Sequence, residues 1–472
     1  MTVLLGHIRK RQSGKTFIAL LIPLILAGAL QLNNHLYYDL DLGYDMPMHF
    51  NNTMAIIDTG QMPPPPLLPN TYEAHQAPAF YYLSAWILQI TNYDFDWYTF
   101  IVIMPWVLYL VGMIWVILIA NFVLRTIRPI PLFLRSLIIC VVVLFPNNTI
   151  MSVMYNNDLS VTIFGALSVW TLWLMCRTNQ LTSKSLWLRA ALLAGLATLF
   201  KLSGLIIIGV YGALAAYIIL QTLWQRHFEK ARQVIIAASL GLPLMLIPWM
   251  YNSNHTSQYI ESPLGVIGDA PYVWDVVDPS FFLTFDLDIF DVPFAFETGK
   301  SSFWTLQFLT LHNDYYNHWN SSAYKDYPPY RLVEVPHRDP MPYTRLQDAV
   351  VLQYLAIPIT LVMVFGVGVS LYRLIFRNRF ALRDGSVVVL IYVGMSQGAQ
   401  LVRFIAHPDI KGVIIHARHL GFIYGFMFII GAWWLLKLTK HRRYGEILSL
   451  SLATFMLAYS LVAIRLMWLP PI

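Results

Sequence analysis

The stretch Phe17-Ile-Ala-Leu-Leu-Ile-Pro-Leu-Ile-Leu-Ala-Gly-Ala-Leu-Gln-Leu32 decides the fold. It carries no charge, follows Arg9, Lys10, Arg11 and Lys15, and is not succeeded by a small-residue cleavage site. A helix needs about 20 mostly apolar residues to cross a bilayer. The run therefore reads as an uncleaved anchor with its basic flank in the cytoplasm. Comparable runs recur along the chain, giving eleven candidate spans centred near residues 24, 111, 139, 167, 194, 213, 241, 361, 393, 427 and 455. The 472 residues are 57% hydrophobic and 12% charged, with mean hydropathy +0.56, against roughly 25% charge in soluble proteins. One soluble domain is excluded. A transmembrane β-barrel is excluded as well, since its strands alternate apolar and polar positions. Cys140 and Cys176 both fall inside apolar runs, which leaves neither a disulfide framework nor a cysteine metal site. The expected fold is an all-α polytopic membrane bundle of about 11 transmembrane helices. Interfacial helices are expected in its first outward loop, and a long outward loop between spans 7 and 8.

Alternating the spans from a cytoplasmic N-terminus puts most of the 31 Lys and Arg inside and, of the 25 acids, only Glu229, Asp384 and Glu446. The net charge of +6 is thus an orientation signal and implies no nucleic acid. The C-terminus is expected outside the cytoplasm. Residues 79 to 91 could pass for another span, but counting them would reverse every later loop and place the arginines outside. Their paired tyrosines suit a short helix lying at the outer interface.

Two outward segments, 33 to 78 and 251 to 347, are too long for simple turns and read as functional. They divide the chain into an N-terminal membrane module, 1 to 250, an outward loop region, 251 to 347, and a C-terminal membrane module, 348 to 472. The second segment carries Phe281, Trp304, Tyr315, Tyr316 and Trp319. Aromatic faces with carboxylates suit sugar recognition, and an amphipathic cap would share that composition.

Several residues stand out as chemistry. Asp45, in Tyr44-Asp45-Met46-Pro47-Met48-His49-Phe50, sits just beyond a span, where low-dielectric walls suit a general base; a solvated acidic linker is the plainer reading. Glu73 and His75 precede the interfacial helix that carries Tyr82. Asp158 follows Asn156 and Asn157 at the mouth of the fourth span, as a site carboxylate or as a helix cap. Lys201 lies between apolar runs at the outer leaflet, where a phosphate is its natural partner and snorkelling to lipid the alternative. Arg403, Lys411, His416, Arg418 and His419 cluster around one loop. Anion binding is favoured there over a metal, because no third ligand has suitable spacing.

These motifs together resemble the GT-C superfamily of polyprenyl-phosphate-dependent glycosyltransferases, in the bacterial branch. Its first outward loop reads like Tyr-Asp-Glu-Pro-x-His-Phe, then Gly-x-x-Pro, then Tyr-Glu-Ala-His-Gln-Pro-Pro-x-Tyr-Tyr. The matching stretches here are Tyr44 to Phe50, Gly60 to Pro63 and Tyr72 to Tyr82. Asn157-Asp158, the Gly195 to Lys201 run and Ala417-Arg418-His419-Leu420 continue the likeness. Two positions depart from it: Met46 replaces a Glu, and Ala77 replaces one Pro.

The resemblance implies a membrane glycosyltransferase taking a polyprenyl-phosphate-linked sugar as donor and a lipid, glycan or protein as acceptor. By the same likeness Asp45 is the base and Asp158 a second acid, with Lys201 and Arg418 on the donor phosphate. Arg403, His49, Glu73, His75 and Tyr82 are expected to line the substrate site. The resemblance names no certain cofactor, and a divalent metal is left open. A bacterial inner membrane is the expected location. A lipid-diphosphate-dependent polymerase or ligase and a lipid-sugar transporter are the rival readings, the transporter weakened by the lack of an internal repeat or of acids at mid-membrane.

Overall fold

The computed structural model describes residues 13–38, 46–65, 74–91, 97–127, 130–259, 273–290, 302–313, 343–377, 381–406, 408, 422–439 and 444–468. Among them there is no strand. The helices are α1 (Ser13–Tyr37), α2 (Met46–Thr59), α3 (Ala79–Thr91), α4 (Trp97–Thr126), α5 (Leu132–Val143), α6 (Pro146–Met151), α7 (Asp158–Arg177) and α8 (Lys184–Phe200). They continue with α9 (Leu205–Trp224), α10 (Phe228–Ser239), α11 (Leu242–Ser257), α12 (Phe303–His312), α13 (Tyr343–Phe376), α14 (Ser386–Ala406), α15 (Ile423–Thr439) and α16 (Gly445–Met467). A helix lies at each of the eleven expected centres, with α10 and α11 sharing one. Among the described residues, 7 helical stretches are long and apolar enough to cross a membrane: 100–126, 158–177, 202–224, 228–257, 347–376, 386–406 and 445–467. The short interfacial helix expected at 79 to 91 is α3, whose 13 residues cannot span.

Hydrocarbon offers no water to a freed backbone group, so helical breaks must be satisfied from within. α5 has only 12 residues, about 18 Å of rise. Pro146 stops it, and Phe145 before the proline is extended (φ −53, ψ 126), as steric contact with the ring requires. The Asn148 amide donates to the Val142 carbonyl that the break leaves open, at 2.7 Å. Between α10 and α11, at Gly241-Leu242-Pro243, the Tyr211 hydroxyl donates to Ala238 O at 2.9 Å. A side chain from elsewhere thus bonds the backbone at each of these two breaks.

Small residues set the closest helix contacts, the usual solution where lipid is as apolar as the interface. A Cβ at Gly431 would lie 2.0 Å from Val362 O, and one at Gly366 would lie 2.7 Å from Gly431 Cα, so α13 and α15 meet backbone to backbone. Gly195 does the same for α8 against α11, 2.0 Å from Leu244 O. α7 and α8 are tied by the Ser168 hydroxyl on Ala190 O at 2.8 Å.

The two ends of the bundle differ in chemistry. At one, the loop end, the start of α7 and the ends of α8 and α11 gather beside the segments at 46–65 and 74–91. Arg465 of α16 also reaches Asp348 of α13, at 2.8 Å. At the other, the basic end, Arg177 of α7, Arg373 of α13 and Lys437 of α15 lie among Trp173, Trp433 and Trp434. Alternating helices are what the charge pattern of the sequence requires.

One element is unexpected. Within the segment read as an outward loop, α12 is buried along nearly its whole length, with only Trp304 exposed. Gln307 donates to Gln397 of α14 at 2.9 Å and accepts from the Tyr424 hydroxyl of α15 at 2.6 Å. His312 bonds Tyr459 of α16 at 2.8 Å and Thr360 of α13 at 3.1 Å. The Ser302 side chain caps its first turn on Thr305 N. Tyr315, Tyr316 and Trp319 lie outside the described residues.

Gly431→Ala and Gly195→Ala should each destabilise the protein by on the order of 1–3 kcal/mol through overpacking. Gly212→Ala, where nothing lies within 4 Å, should not. Thermal unfolding in detergent measures this, and equal melting temperatures for all three variants would contradict the close helix contacts.

Candidate functional site

The site forms where α8 turns into α9. α8 stops at Phe200, Lys201 is extended (φ −159, ψ 143), and the turn Leu202–Gly204 leads into α9. A Cβ at Gly204 would sit 2.3 Å from Thr198 N, so glycine is what lets this turn fold back against its own helix. Ending α8 here exposes carbonyls that would be unpaired. Asn252 of α11 donates to Thr198 O. Asn157 donates to Phe200 O at 3.3 Å and to Gln76 Oε1 at 2.7 Å. With those groups held by carboxamides, the Lys201 ammonium is left to the site.

It meets Asp158. The Nζ–Oδ1 distance is 2.7 Å, and the side chains are 16% and 5% exposed. Asp158 occupies the first turn of α7, where a carboxylate is favoured by the helix dipole. Its backbone N–H donates to Asn156 Oδ1 at 2.9 Å, so the Asn156-Asn157-Asp158 run acts as a unit. One asparagine fixes the carboxylate's own backbone, and the next anchors the loop segment through Gln76. The Asn157 and Asn252 carbonyl oxygens are buried and unpartnered.

The 74–78 segment is tied down by α11. Ala74 O accepts from His255 Nε2 at 2.8 Å, and His75 O accepts from the Thr256 hydroxyl at 3.0 Å. The Tyr259 hydroxyl donates to Pro63 O at 2.7 Å, fixing the proline run to the same helix end. These ties, together with Asn157 on Gln76, hold the segment over the start of α7 and the end of α8. His75 is half-buried, and Tyr82 is exposed on α3.

His49 has a different setting. It is buried on α2 and bonds the Tyr81 hydroxyl of α3 at 2.8 Å, within a cage of Phe80, Tyr81 and Tyr155. One helical turn on, Thr53 meets the Tyr155 hydroxyl at 2.7 Å. Tyr155 stands three residues before Asp158, so α2 and α3 are bound to the strip that delivers the carboxylate. Burial pushes the Tyr155 phenol well above its ordinary value, against the hydrogen bonds from Ser84 and Thr53 that lower it. It stays neutral, as a positioning group.

Arg403 is exposed in the last turn of α14. Asp45, Glu73 and Arg418 lie outside the described residues, as do Lys411, His416 and His419. Among the described residues, no group of three or more His, Cys, Asp or Glu is placed to hold a metal ion. Of the expected residues, then, Asp158 and Lys201 are brought together, with His75 on the segment above them. His255, Thr256 and Asn252 were not foreseen. They sit at the end of an apolar helix with no local pattern to mark them, and only the fold gives them partners.

No family model and no curated protein matches the sequence. Among solved structures the chain is similar to the crystal structure of ArnT from Cupriavidus metallidurans bound to undecaprenyl phosphate. The two are 11% identical with a TM-score of 0.46, the match covering 97% of this chain and 77% of that one. Backbones that far apart do not align residue by residue.

Removing one member of a buried ion pair leaves an unpaired charge, at a cost on the order of 3–5 kcal/mol. Asp158→Ala should therefore lower the melting temperature sharply, and Asp158→Asn combined with Lys201→Met should recover most of the loss. A double variant as unstable as Asp158→Ala would show that the pair is not coupled.

Proposed function

We propose that the protein is an integral-membrane glycosyltransferase that moves a sugar from a polyprenyl-phosphate carrier to an acceptor hydroxyl outside the cytoplasm. The observation that carries the reading is the Lys201–Asp158 pair, a largely buried ammonium held at the loop end of an apolar bundle. A charge in that position is a functional site by default. The motifs around Asp45, Glu73 and His75, which resemble those of the GT-C superfamily, support the same reading.

In the proposed step the acceptor oxygen attacks the anomeric carbon. The bond from that carbon to the phosphate oxygen breaks, and the phosphate leaves with the electron pair. Asp45 takes the proton of the attacking hydroxyl, as an inverting transfer requires. Negative charge grows on the leaving phosphate, and Lys201 and Arg418 stabilise it there. Asp158 holds the ammonium in place before the lipid arrives. An ammonium offers three donors and Asp158 Oδ1 engages one, so a phosphate oxygen can join without the pair separating. The apolar helix faces around the site would receive the polyprenyl tail, and the exposed Tyr82 on α3 would meet the sugar.

A polyprenyl phosphate is the product that remains whichever sugar is moved, and undecaprenyl phosphate serves as the probe. Lys201→Ala should weaken its binding roughly tenfold, the loss of one charge-assisted contact. Asp45→Asn should bind it as the wild type does and show no transfer. Unchanged affinity in Lys201→Ala removes the phosphate role, and near-normal turnover in Asp45→Asn removes the base. Tighter binding of undecaprenyl diphosphate would favour the polymerase or ligase reading, and counterflow uptake without a glycosidic product would favour a transporter.

A further inference from the structure

The basic end carries a second constellation that the transfer scheme does not use. The Arg177 guanidinium, at the end of α7, lies 4.6 Å from the Trp173 ring centroid and 4.7 Å from that of Trp433. The Lys437 ammonium is 4.8 Å from Trp433 and 4.9 Å from Trp434, whose centroids are 4.5 Å apart. Arg373 lies 4.7 Å from Trp434 and is ion-paired with Asp384. Three helices that are far apart in sequence thus bring three cations onto one tryptophan cluster.

The charge does not balance. Asp384 is the acid of the cluster, and Ser386 already engages its Oδ1 through hydroxyl and backbone N–H, at 2.6 and 3.1 Å. Of the three acids at this end of the bundle, Glu229 is bonded to Arg232 of its own helix, and Glu446 is exposed at the start of α16. The segments bordering the cluster, 377–383 and 440–443, add basic residues and no acid. Arg177 Nη1 is buried with no hydrogen-bond partner. Tryptophan faces attract cations by about 0.5–2 kcal/mol each, but they accept no conventional hydrogen bond and cancel no charge.

Basic residues that serve only to orient a membrane protein can stay solvated. Here the guanidinium is sandwiched by rings, and one donor nitrogen is sealed from water. Exposed apolar side chains stand on the same helix ends, Leu371, Ile375 and Phe376 on α13 and Leu438 on α15. Cations above and an open greasy surface alongside match a phosphate group carrying acyl chains.

We propose that Arg177, Arg373 and Lys437 form a phosphate-binding site at the basic end of the bundle. The phosphate comes from an anionic phospholipid headgroup or from free phosphate. It is separate from the Lys201 site at the opposite end. Guanidinium forks suit phosphate oxygens, and the compact ammonium adds a point charge.

The test uses the full-length protein, delipidated in detergent, and follows its melting temperature at constant ionic strength. Phosphatidylglycerol, phosphatidylcholine and inorganic phosphate are titrated separately. The wild type should be stabilised by phosphatidylglycerol and not by phosphatidylcholine. Arg177→Gln should weaken that response roughly tenfold, the loss of one charge-assisted contact. Lys437→Gln, at an exposed position where misfolding is not a concern, should weaken it as well, while Arg189→Gln, exposed at the same end outside the cluster, should not. A matching shift from inorganic phosphate assigns the site to the free ion, and a shift from phosphatidylglycerol alone assigns it to lipid. Equal stabilisation by phosphatidylcholine, a wild-type response in both cluster variants, or an equal loss in Arg189→Gln would overturn the site.

Discussion

A backbone carbonyl released inside a bilayer has no water to bond, and this constraint organises most of what is particular about the bundle. At three helix ends a side chain from elsewhere arrives to bond the backbone. Asn148 serves the end of α5, Tyr211 the end of α10, and Asn252 and Asn157 the end of α8. The last two matter for function, because they release Lys201 from capping its own helix. The same carboxamide of Asn157 also reaches Gln76, so one residue terminates a helix and positions the segment above the site.

The bundle consequently has two ends of opposite character. At the loop end the Lys201 ammonium and the Asp158 carboxylate are matched closely beside the Asn156 and Asn157 amides, an arrangement that holds the ammonium steady for use. At the basic end, cations outnumber the nearby acid and lean on indole rings. Sequence composition assigns both features to orientation. Geometry separates them, since orientation requires neither a 2.7 Å pair nor a guanidinium placed between two rings.

The helices were legible because hydrophobic length is a local property. The centres near 24, 111 and 455 needed no tertiary information, and charge alternation gave the antiparallel order that Asp348 and Arg465 display at one end. Lys201 and Asp158 were legible for a related reason, as charges at the margins of apolar runs. Their mutual contact was not, because a separation of 43 residues carries no periodic signal. The bond of His49 to Tyr81 was not legible either, since only the packing of α2 on α3 supplies that partner. The failure at α12 has the same origin. Phe303 to His312 reads as one more aromatic stretch of an outward loop, and the polar partners it finds, Gln397, Tyr424, Thr360 and Tyr459, all lie later in the chain.

That order bears on how the molecule is made. The hydrogen-bond partners of Gln307 and His312 described above belong to α13, α14, α15 and α16, which the ribosome delivers after α12 has already been synthesised. The ten-residue segment can pack early on Phe145 and α6, but Gln307 and His312 gain these partners when the C-terminal helices arrive. Completing its polar contacts is then a late event in biogenesis, and a chain truncated before Tyr459 would lack one of the groups that His312 bonds.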